Sequence, residues 1–179
     1  MKNFKLSNFF HGLNGVLTAF LVWLVVFFQE LLPEKVPIHF TMDGTPNSWA
    51  GKGSLFTMLF VAVGVSALFY LIILSLPWVK SKPGLLNIPY KRQVLALPEE
   101  KQRPFWDLTV EFLAAVVSAM DILWLTAVYG TIRVALGHEE KLPSWAVWPG
   151  LILVFTVTII YFIRMIVISK KLIKDLQRS

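Results

Sequence analysis

Four long apolar stretches dominate the pattern of hydrophobic and polar positions along the chain. They run from about residues 12–32, 55–78, 108–136 and 145–168. Each has enough residues for a helix to cross a hydrocarbon core about 30 Å thick, which takes roughly 20 residues. None shows the apolar–polar alternation of a membrane β-barrel strand. Because backbone groups must be hydrogen-bonded internally in lipid, each stretch predicts a membrane-spanning α-helix.

The segments between the stretches complete the predicted architecture. An outer loop covers residues 33–54, and a cytoplasmic loop covers residues 79–107. The predicted fold class is an all-α integral membrane protein, a four-transmembrane-helix bundle with a short outer hairpin loop. Residues 1–179 are predicted to form one membrane domain, as expected for a chain of this length.

Lysine and arginine residues are divided unevenly between the two sides. The richer side holds twelve: Lys2, Lys5, Lys80, Lys82, Lys91, Arg92, Lys101, Arg103, Lys170, Lys171, Lys174 and Arg178. The other side holds three: Lys35, Lys52 and Lys141. Cytoplasmic loops carry the excess of basic residues in membrane proteins. We therefore predict a multi-pass protein of the bacterial cytoplasmic (inner) membrane, with the N- and C-termini in the cytoplasm.

Composition narrows the possible partners and chemistry. Only 16% of the residues are charged, against about 25% in soluble domains. The net charge of +6 would suit nucleic acid, but the basic residues lie between spans, so we predict membrane lipid and no nucleic acid as the partner. The chain has no cysteine, which excludes disulfides and thiolate chemistry. Phosphate-loop, dinucleotide and zinc-protease motifs are absent, so we predict no enzyme activity and no cofactor.

The outer loop has the features of an ordered hairpin. Pro33 and Pro37 exclude a continuing helix. Residues 38–40 suit an extended strand, and Asp43 followed by Gly44 is a strong turn signal. We therefore expect a short hairpin or lid on the outer face.

The same loop carries a recognisable succession of residues. Its landmarks are Leu32-Pro33, Pro37-Ile38-His39-Phe40, Gly44 and Trp49-Ala50-Gly51-Lys52, with Asn87-Ile88-Pro89 in the next loop. Over residues 15–130 this succession resembles the bacterial membrane family catalogued as domain of unknown function 1648. The resemblance makes Pro37, His39, Phe40, Gly44, Trp49 and Lys52 candidates for ligand contact.

The resemblance also implies a class of function. The family's best-known relatives are the SdpI-type immunity proteins, which protect a producing cell from its own secreted toxin and capture a repressor. It thus implies a binding or sensing role, with an extracellular peptide at the outer loop and a cytoplasmic partner at residues 79–107. Two alternatives stay open: an accessory or scaffold subunit of a larger membrane complex, and a small transporter that uses Asp121 within a homo-oligomer. Family members have a helix entering span three, where Pro104 predicts a kink or break near Arg103.

Metal-ligating residue types occur in both outer loops. His39 and Asp43 lie in the first, and His138, Glu139 and Glu140 lie in the second. Imidazole and carboxylate ligands suit zinc or another divalent ion, which makes His39, Asp43, His138 and Glu139 candidate metal ligands. The alternative is that His39 forms hydrogen bonds within a tight loop and that residues 138–140 are solvated.

Span three carries an unusual polar stripe. The residues on one arc of the helix, at about 100° each, are Asp107, Glu111, Ala115, Ser118, Tyr129 and Arg133, with Asp121 at the edge. Charge in lipid costs at least about 2.5–3.5 kcal/mol per residue, so the stripe should face the bundle interior. Glu111 and Arg164 lie about one turn inside the cytoplasmic boundary, and we predict that they form an ion pair.

Asp121 lies near the predicted bilayer centre. Its candidate partners there are neutral: Thr18, Ser66 and Thr156. One interpretation is a proton relay or polar ligand anchor. The other is a protonated carboxyl group that forms a hydrogen bond to a neighbouring helix.

Span two contains small residues that permit close helix packing. They are Ala62, Gly64, Ser66 and Ala67. Ser54 is expected to cap the start of this span, and Pro77 is expected to help end it.

Overall fold

The computed structural model describes residues 5–85 and 87–177. Lys2 and Arg178, which entered the topology prediction, lie outside the described residues. In chain order the elements are α1 (Leu6–Gln29), β1 (Lys35–Phe40), β2 (Pro46–Gly51), α2 (Ser54–Lys80), α3 (Lys91–Leu95), α4 (Glu99–Ala135) and α5 (Trp148–Gln177), with 3₁₀ turns at Pro83–Leu85 and Ser144–Ala146.

Within the described ranges, four helices are long and apolar enough to cross a membrane: α1, α2, α4 and α5. They overlap most of each predicted stretch, although α1 ends at Gln29 and α5 begins at Trp148, and they indicate a multi-pass membrane protein. The all-α prediction needs one correction, because β1 and β2 form a two-stranded antiparallel sheet. Its physical cause is local: Pro37 is incompatible with a helix interior, and residues 41–45 make a tight turn.

The helices are not arranged as a symmetrical bundle. The central helix is α4, which packs against α1, α2 and α5, whereas α5 packs chiefly against α4. The buried side of α4 is built from small side chains, among them Ala114, Ala115, Ser118 and Ala119. Small side chains let helix backbones approach closely where lipid supplies no hydrophobic driving force.

Two glycines mark the closest backbone approaches. A Cβ added at Gly150 of α5 would lie 2.8 Å from the Cα atom of Leu123 in α4. A Cβ added at Gly130 of α4 would lie 2.6 Å from the Cβ atom of Ala146. In α2, Ala62 and Ser66 are buried, but a Cβ at Gly64 would meet open space. The close-packing role predicted for Gly64 is therefore wrong.

Three predictions about a helix break, a helix end and a helix cap are wrong. Pro104 lies in the second turn of α4, which runs unbroken from Glu99, so the predicted break is absent. A proline there removes only one hydrogen bond near the helix start. Similarly, α2 continues past Pro77 to Lys80. Ser54 forms no capping hydrogen bond, because it is already the first helical residue and its buried hydroxyl has no partner among the described residues.

The two ends of the molecule have separate apolar cores. We call the end with the β-sheet and residues 136–147 the hairpin side, and the opposite end the tail side. On the hairpin side, Leu21, Val25, Leu55 and Ile132 pack with Val36 of β1. On the tail side, α4 packs against α3 and α5 through the cluster Val94, Phe105, Trp106, Tyr161 and Met165.

Candidate functional site

The hairpin is closed by a polar turn at residues 41–45. The Thr41 N–H donates to the Thr45 carbonyl at 2.9 Å, and the Gly44 N–H donates to the Thr41 carbonyl at 2.9 Å. The Asp43 carboxylate accepts hydrogen bonds from the hydroxyls of Thr41 and Thr45. The predicted Asp43-Gly44 turn is therefore present, and side chains as well as backbone fix its shape.

This turn is fastened to the loop between α4 and α5. The Leu142 N–H donates to the Gly44 carbonyl at 2.8 Å, and Lys141 Nζ lies 2.6 Å from Asp43 Oδ2. Gly44 has a positive φ of 82°, and an added Cβ would collide with the Leu142 carbonyl oxygen. Only glycine satisfies both conditions, so Gly44 belongs to the docking contact and is not a free ligand-contact residue.

The other motif residues divide into buried and accessible ones. Pro37 is fully buried beside Val36. Phe40 is half-buried, and Lys52 forms an ion pair with Glu34 at 3.4 Å. His39 and Trp49 are exposed. Of the six candidates, His39 and Trp49 thus have the accessibility that a ligand contact needs.

Three of the four candidate metal ligands contact side chains outside the candidate set. His39 Nδ1 lies 2.6 Å from Asn47 Oδ1, Asp43 pairs with Lys141, and Glu139 accepts from Arg133 Nη2 at 3.0 Å. In residues 5–85 and 87–177, no group of three or more His, Asp or Glu side chains could hold a metal ion. The His39, Asp43, His138 and Glu139 set is therefore not brought together.

The docking contact changes the acidity of Asp43. The Lys141 ammonium group, followed by the hydrogen bonds from Thr41 and Thr45, holds the pKa of the Asp43 carboxyl group well below its usual value. Each contact stabilises the ionised form. Asp43 is therefore ionised throughout the neutral pH range. Its ion pair with Lys141 holds the turn against the loop between α4 and α5.

Apolar side chains remain exposed on the docked hairpin. Met42, at the tip, is 92% exposed, and Ile38 and Trp49 are also exposed. β1 packs against α4 and pairs with β2. In the described part of the chain, the other edge of β2 has no strand partner. The hairpin side therefore presents both apolar side chains and an open strand edge. The hairpin that carries them is held in place by its contacts with Lys141 and Leu142.

A second polar feature, the polar row, lies between α1, α2 and α4. Its members are His11, Asn14 and Thr18 of α1, Ser66 and Tyr70 of α2, and Ser118 and Asp121 of α4. Residues three, four or seven apart share one face of a helix, and each helix contributes one such set. Sequence reasoning missed His11, Asn14 and Tyr70. The signal for His11 and Asn14 was their spacing with Thr18 along one face of α1, and the signal for Tyr70 was its position four residues after Ser66 in α2.

Asp121 is only 3% exposed and is bound by two hydroxyls. Ser66 donates to its Oδ1 atom at 2.8 Å, and Thr18 donates to Oδ2 at 3.3 Å. Two of the three predicted partners are therefore present. Because Asp121 faces α1 and α2 within the chain, it does not line the kind of outward surface that an oligomeric transport path would use.

The remainder of the polar row is a separate network. Asn14 donates to the Tyr70 hydroxyl at 3.0 Å and to the Ala114 carbonyl at 3.1 Å, and it accepts from Ser118. His11 Nδ1 lies 3.2 Å from the same Tyr70 hydroxyl. Among the described residues, no direct hydrogen bond links this network to Asp121, so the polar row consists of two separate hydrogen-bonded groups.

The charged residues of α4 have partners near both ends. The predicted ion pair is present: Arg164 Nη1 lies 2.7 Å from Glu111 Oε1. Tyr161 also donates to that oxygen, at 2.8 Å. Near the hairpin side, Arg133 pairs with Glu139 at 3.0 Å. Its Nε atom is buried and has no hydrogen-bond partner among the described residues.

The comparisons with known proteins bear on the hairpin. Residues 15–65 match the family model described as Domain of unknown function (DUF1648). The match covers most of α1, the whole hairpin and the first part of α2, so the resemblance of the loop is confirmed there. Asn87-Ile88-Pro89 lies outside the matched residues. Neither among curated proteins nor among solved structures was a match to the chain found.

Proposed function

We propose that this protein is a multi-pass protein of the bacterial inner membrane whose hairpin binds an extracellular peptide, in a role of the toxin-immunity or signal-receptor class. Both termini then lie in the cytoplasm, which the distribution of lysine and arginine supports. The immunity class is what the resemblance of the loop to domain of unknown function 1648 implies, since the SdpI-type immunity proteins are that family's best-known relatives. The observation that supports the binding role is a hairpin that is fixed to the loop between α4 and α5 and has accessible apolar residues.

Preorganisation is the reason that this observation favours binding. The turn is fixed by Asp43–Lys141 and by the Gly44–Leu142 hydrogen bond. A surface that is already ordered loses less conformational entropy when it binds a ligand. Met42 at 92% exposure has no packing role within the described chain. A flexible, polarisable methionine suits contact with varied apolar partners.

The open edge of β2 supports an extended peptide as the ligand. A sheet edge offers unpaired N–H and C=O groups, to which a peptide can add as a further strand. Main-chain hydrogen bonds would supply affinity, and Trp49, which belongs to β2, would supply side-chain contact. Because β1 already packs against α4, β2 is the accessible edge.

Selection from a random peptide library tests the binding role. The probe is a displayed library of ten-residue peptides, incubated with the full chain in lipid nanodiscs. We expect enrichment of extended peptides whose binding is lost in the Met42→Ser/Trp49→Ala double variant and is unchanged by Phe155→Ala on α5. N-methylation at alternate peptide positions should abolish binding. Enrichment that is indifferent to the double variant would refute the hairpin as the binding surface.

Sidedness has a simpler test, because the chain has no cysteine. A cysteine introduced at Met42 should react with a membrane-impermeant maleimide in intact cells. One introduced at Lys101, between the second and third spans, should react only after the cells are opened. The reverse pattern would overturn the proposed orientation.

A further inference from the structure

A groove between α1 and α4 has a polar mouth and an apolar floor. The mouth, on the hairpin side, is a cavity of about 230 Å³ bordered by Arg133 and His138. The floor is a second cavity of about 390 Å³, bordered by Phe20, Trp23, Leu24 and Leu125. Phe28 and Tyr129 border both cavities, so the two lie next to each other along the same pair of helices.

The groove follows the helices towards the middle of the membrane. Along α4 its walls step from Arg133 to Tyr129 to Leu125, a distance of roughly 12 Å at a rise of 1.5 Å per residue. Along α1 they step from Phe28 to Leu24 to Phe20. Phe20 and Trp23 are about half exposed on the surface that faces lipid. The groove is therefore open laterally to the bilayer, so a lipid molecule can enter it.

The mouth has an unused hydrogen-bond donor. Arginine carries five N–H donors, and Glu139 takes one of them at 3.0 Å from Nη2. The Arg133 Nε atom is buried without a hydrogen-bond partner among the described residues, but 36% of the side chain is exposed, so other N–H groups of the guanidinium remain accessible. An unpaired buried N–H is costly, and guanidinium groups suit the oxygens of a phosphate. Arg133 lies half a turn before the end of α4, at the level where a headgroup would lie.

We propose that this groove holds one glycerophospholipid from the leaflet on the hairpin side. Its phosphodiester is bound by Arg133, and one of its two acyl chains lies along Leu125 and Trp23. Glu139 competes for the guanidinium group and moderates the affinity. This proposal does not depend on peptide binding by the hairpin.

Native mass spectrometry of the detergent-solubilised full chain tests the proposal with dioleoyl phosphatidylglycerol as the probe. We expect the wild-type protein to retain one lipid and Arg133→Gln to retain it about tenfold more weakly, the loss expected for one hydrogen bond to a charged group. Arg103→Gln, an exposed arginine on the tail side, is the matched control and should bind as the wild type does. Equal retention by Arg133→Gln and Arg103→Gln would overturn the proposal.

Three further measurements keep the test decisive if Arg133→Gln fails to fold. Dioleoyl glycerol has the same acyl chains without the phosphate, and it should not be retained. Glu139→Gln releases the guanidinium group and should strengthen phosphatidylglycerol retention, whereas Leu125→Trp should weaken it by filling the groove. Retention of dioleoyl glycerol equal to that of the phospholipid, or no gain in Glu139→Gln, would refute phosphate recognition by Arg133.

Discussion

Helices α4 and α5 are both apolar enough to cross a membrane, yet they hold opposite positions in the fold. α4 contacts the other three long helices and buries Ala115, Ser118 and Asp121. α5 packs chiefly against α4 and leaves Phe155 and Ile159 more than half exposed. Lipid tails are as apolar as leucine, so large apolar side chains gain little by burial. In this protein the small and polar residues therefore mark the protein-facing side of a helix.

The largest effect should come from removing the close approach of these two helices. Gly150→Ala places a Cβ 2.8 Å from the Leu123 Cα atom, where the backbone must move to make room. We expect a loss of about 2–3 kcal/mol of unfolding free energy, measured by circular dichroism during titration from mild detergent into dodecyl sulfate. Gly64→Ala is the control, because its Cβ would meet open space. Equal stability of the two variants would contradict the packing described for α5.

Asp121 provides the next test, because its bonds join α4 to both α1 and α2. Asp121→Leu removes the acceptor of Ser66 and Thr18 and should cost about 1–2 kcal/mol, since interhelical hydrogen bonds in membranes average about 0.6 kcal/mol each. Asp121→Asn keeps an acceptor and should cost less than half as much in the same titration. Thr156→Val on α5 changes an exposed hydroxyl and should be neutral. A destabilised Thr156→Val variant would show that an exposed polar residue of α5 stabilises the helix packing, which contradicts the assignment of the polar contacts to α4.

The ion pair between α4 and α5 should contribute less. Arg164→Met removes the 2.7 Å contact to Glu111 and the position of the guanidinium over the Tyr161 ring. We expect a cost of about 1 kcal/mol, at the upper end for an accessible pair. A double-mutant cycle with Glu111→Gln isolates the coupling between the two charges. The exposed pair Lys5–Asp107 is the control, and its coupling should be close to zero.

The same contrast explains which features of the fold were predictable. The four spans and the Asp43-Gly44 turn depend on local patterns of apolar residues, proline and glycine, which can be read directly from the chain. The pairing of Glu111 with Arg164 needed only equal depth on adjacent antiparallel helices. For this pair, the antiparallel order and the depth in the membrane leave few alternative partners.

Features that depend on how two helices face each other were not predictable. Gly130 and Gly150 make the close contacts expected of Gly64, because the contact depends on the rotation of each helix about its own axis. The network that joins Asn14 to Tyr70 was not predictable for the same reason. In the loops on the hairpin side, Lys141 pairs with Asp43 and no second metal ligand does so among the described residues; residue spacing alone does not reveal that competition.

Asp43 is the water-exposed counterpart of Asp121, since the side-chain carboxyl group of each accepts hydrogen bonds from two hydroxyl groups. Lys141, Thr41 and Thr45 lower the pKa of Asp43 in the folded protein. Its contribution to hairpin docking is therefore complete above the unfolded-state pKa of about 3.9 and is lost as the pH falls below that value towards the lower folded-state pKa. The effect is the smallest of the four, because water screens an exposed pair.

Amide exchange at Leu142, corrected for its intrinsic pH dependence, measures docking. Protection should fall with acidification in the wild type, whereas in Asp43→Asn it should be lower at pH 6 and independent of pH. Parallel profiles would show that the carboxylate does not hold the hairpin on its loop.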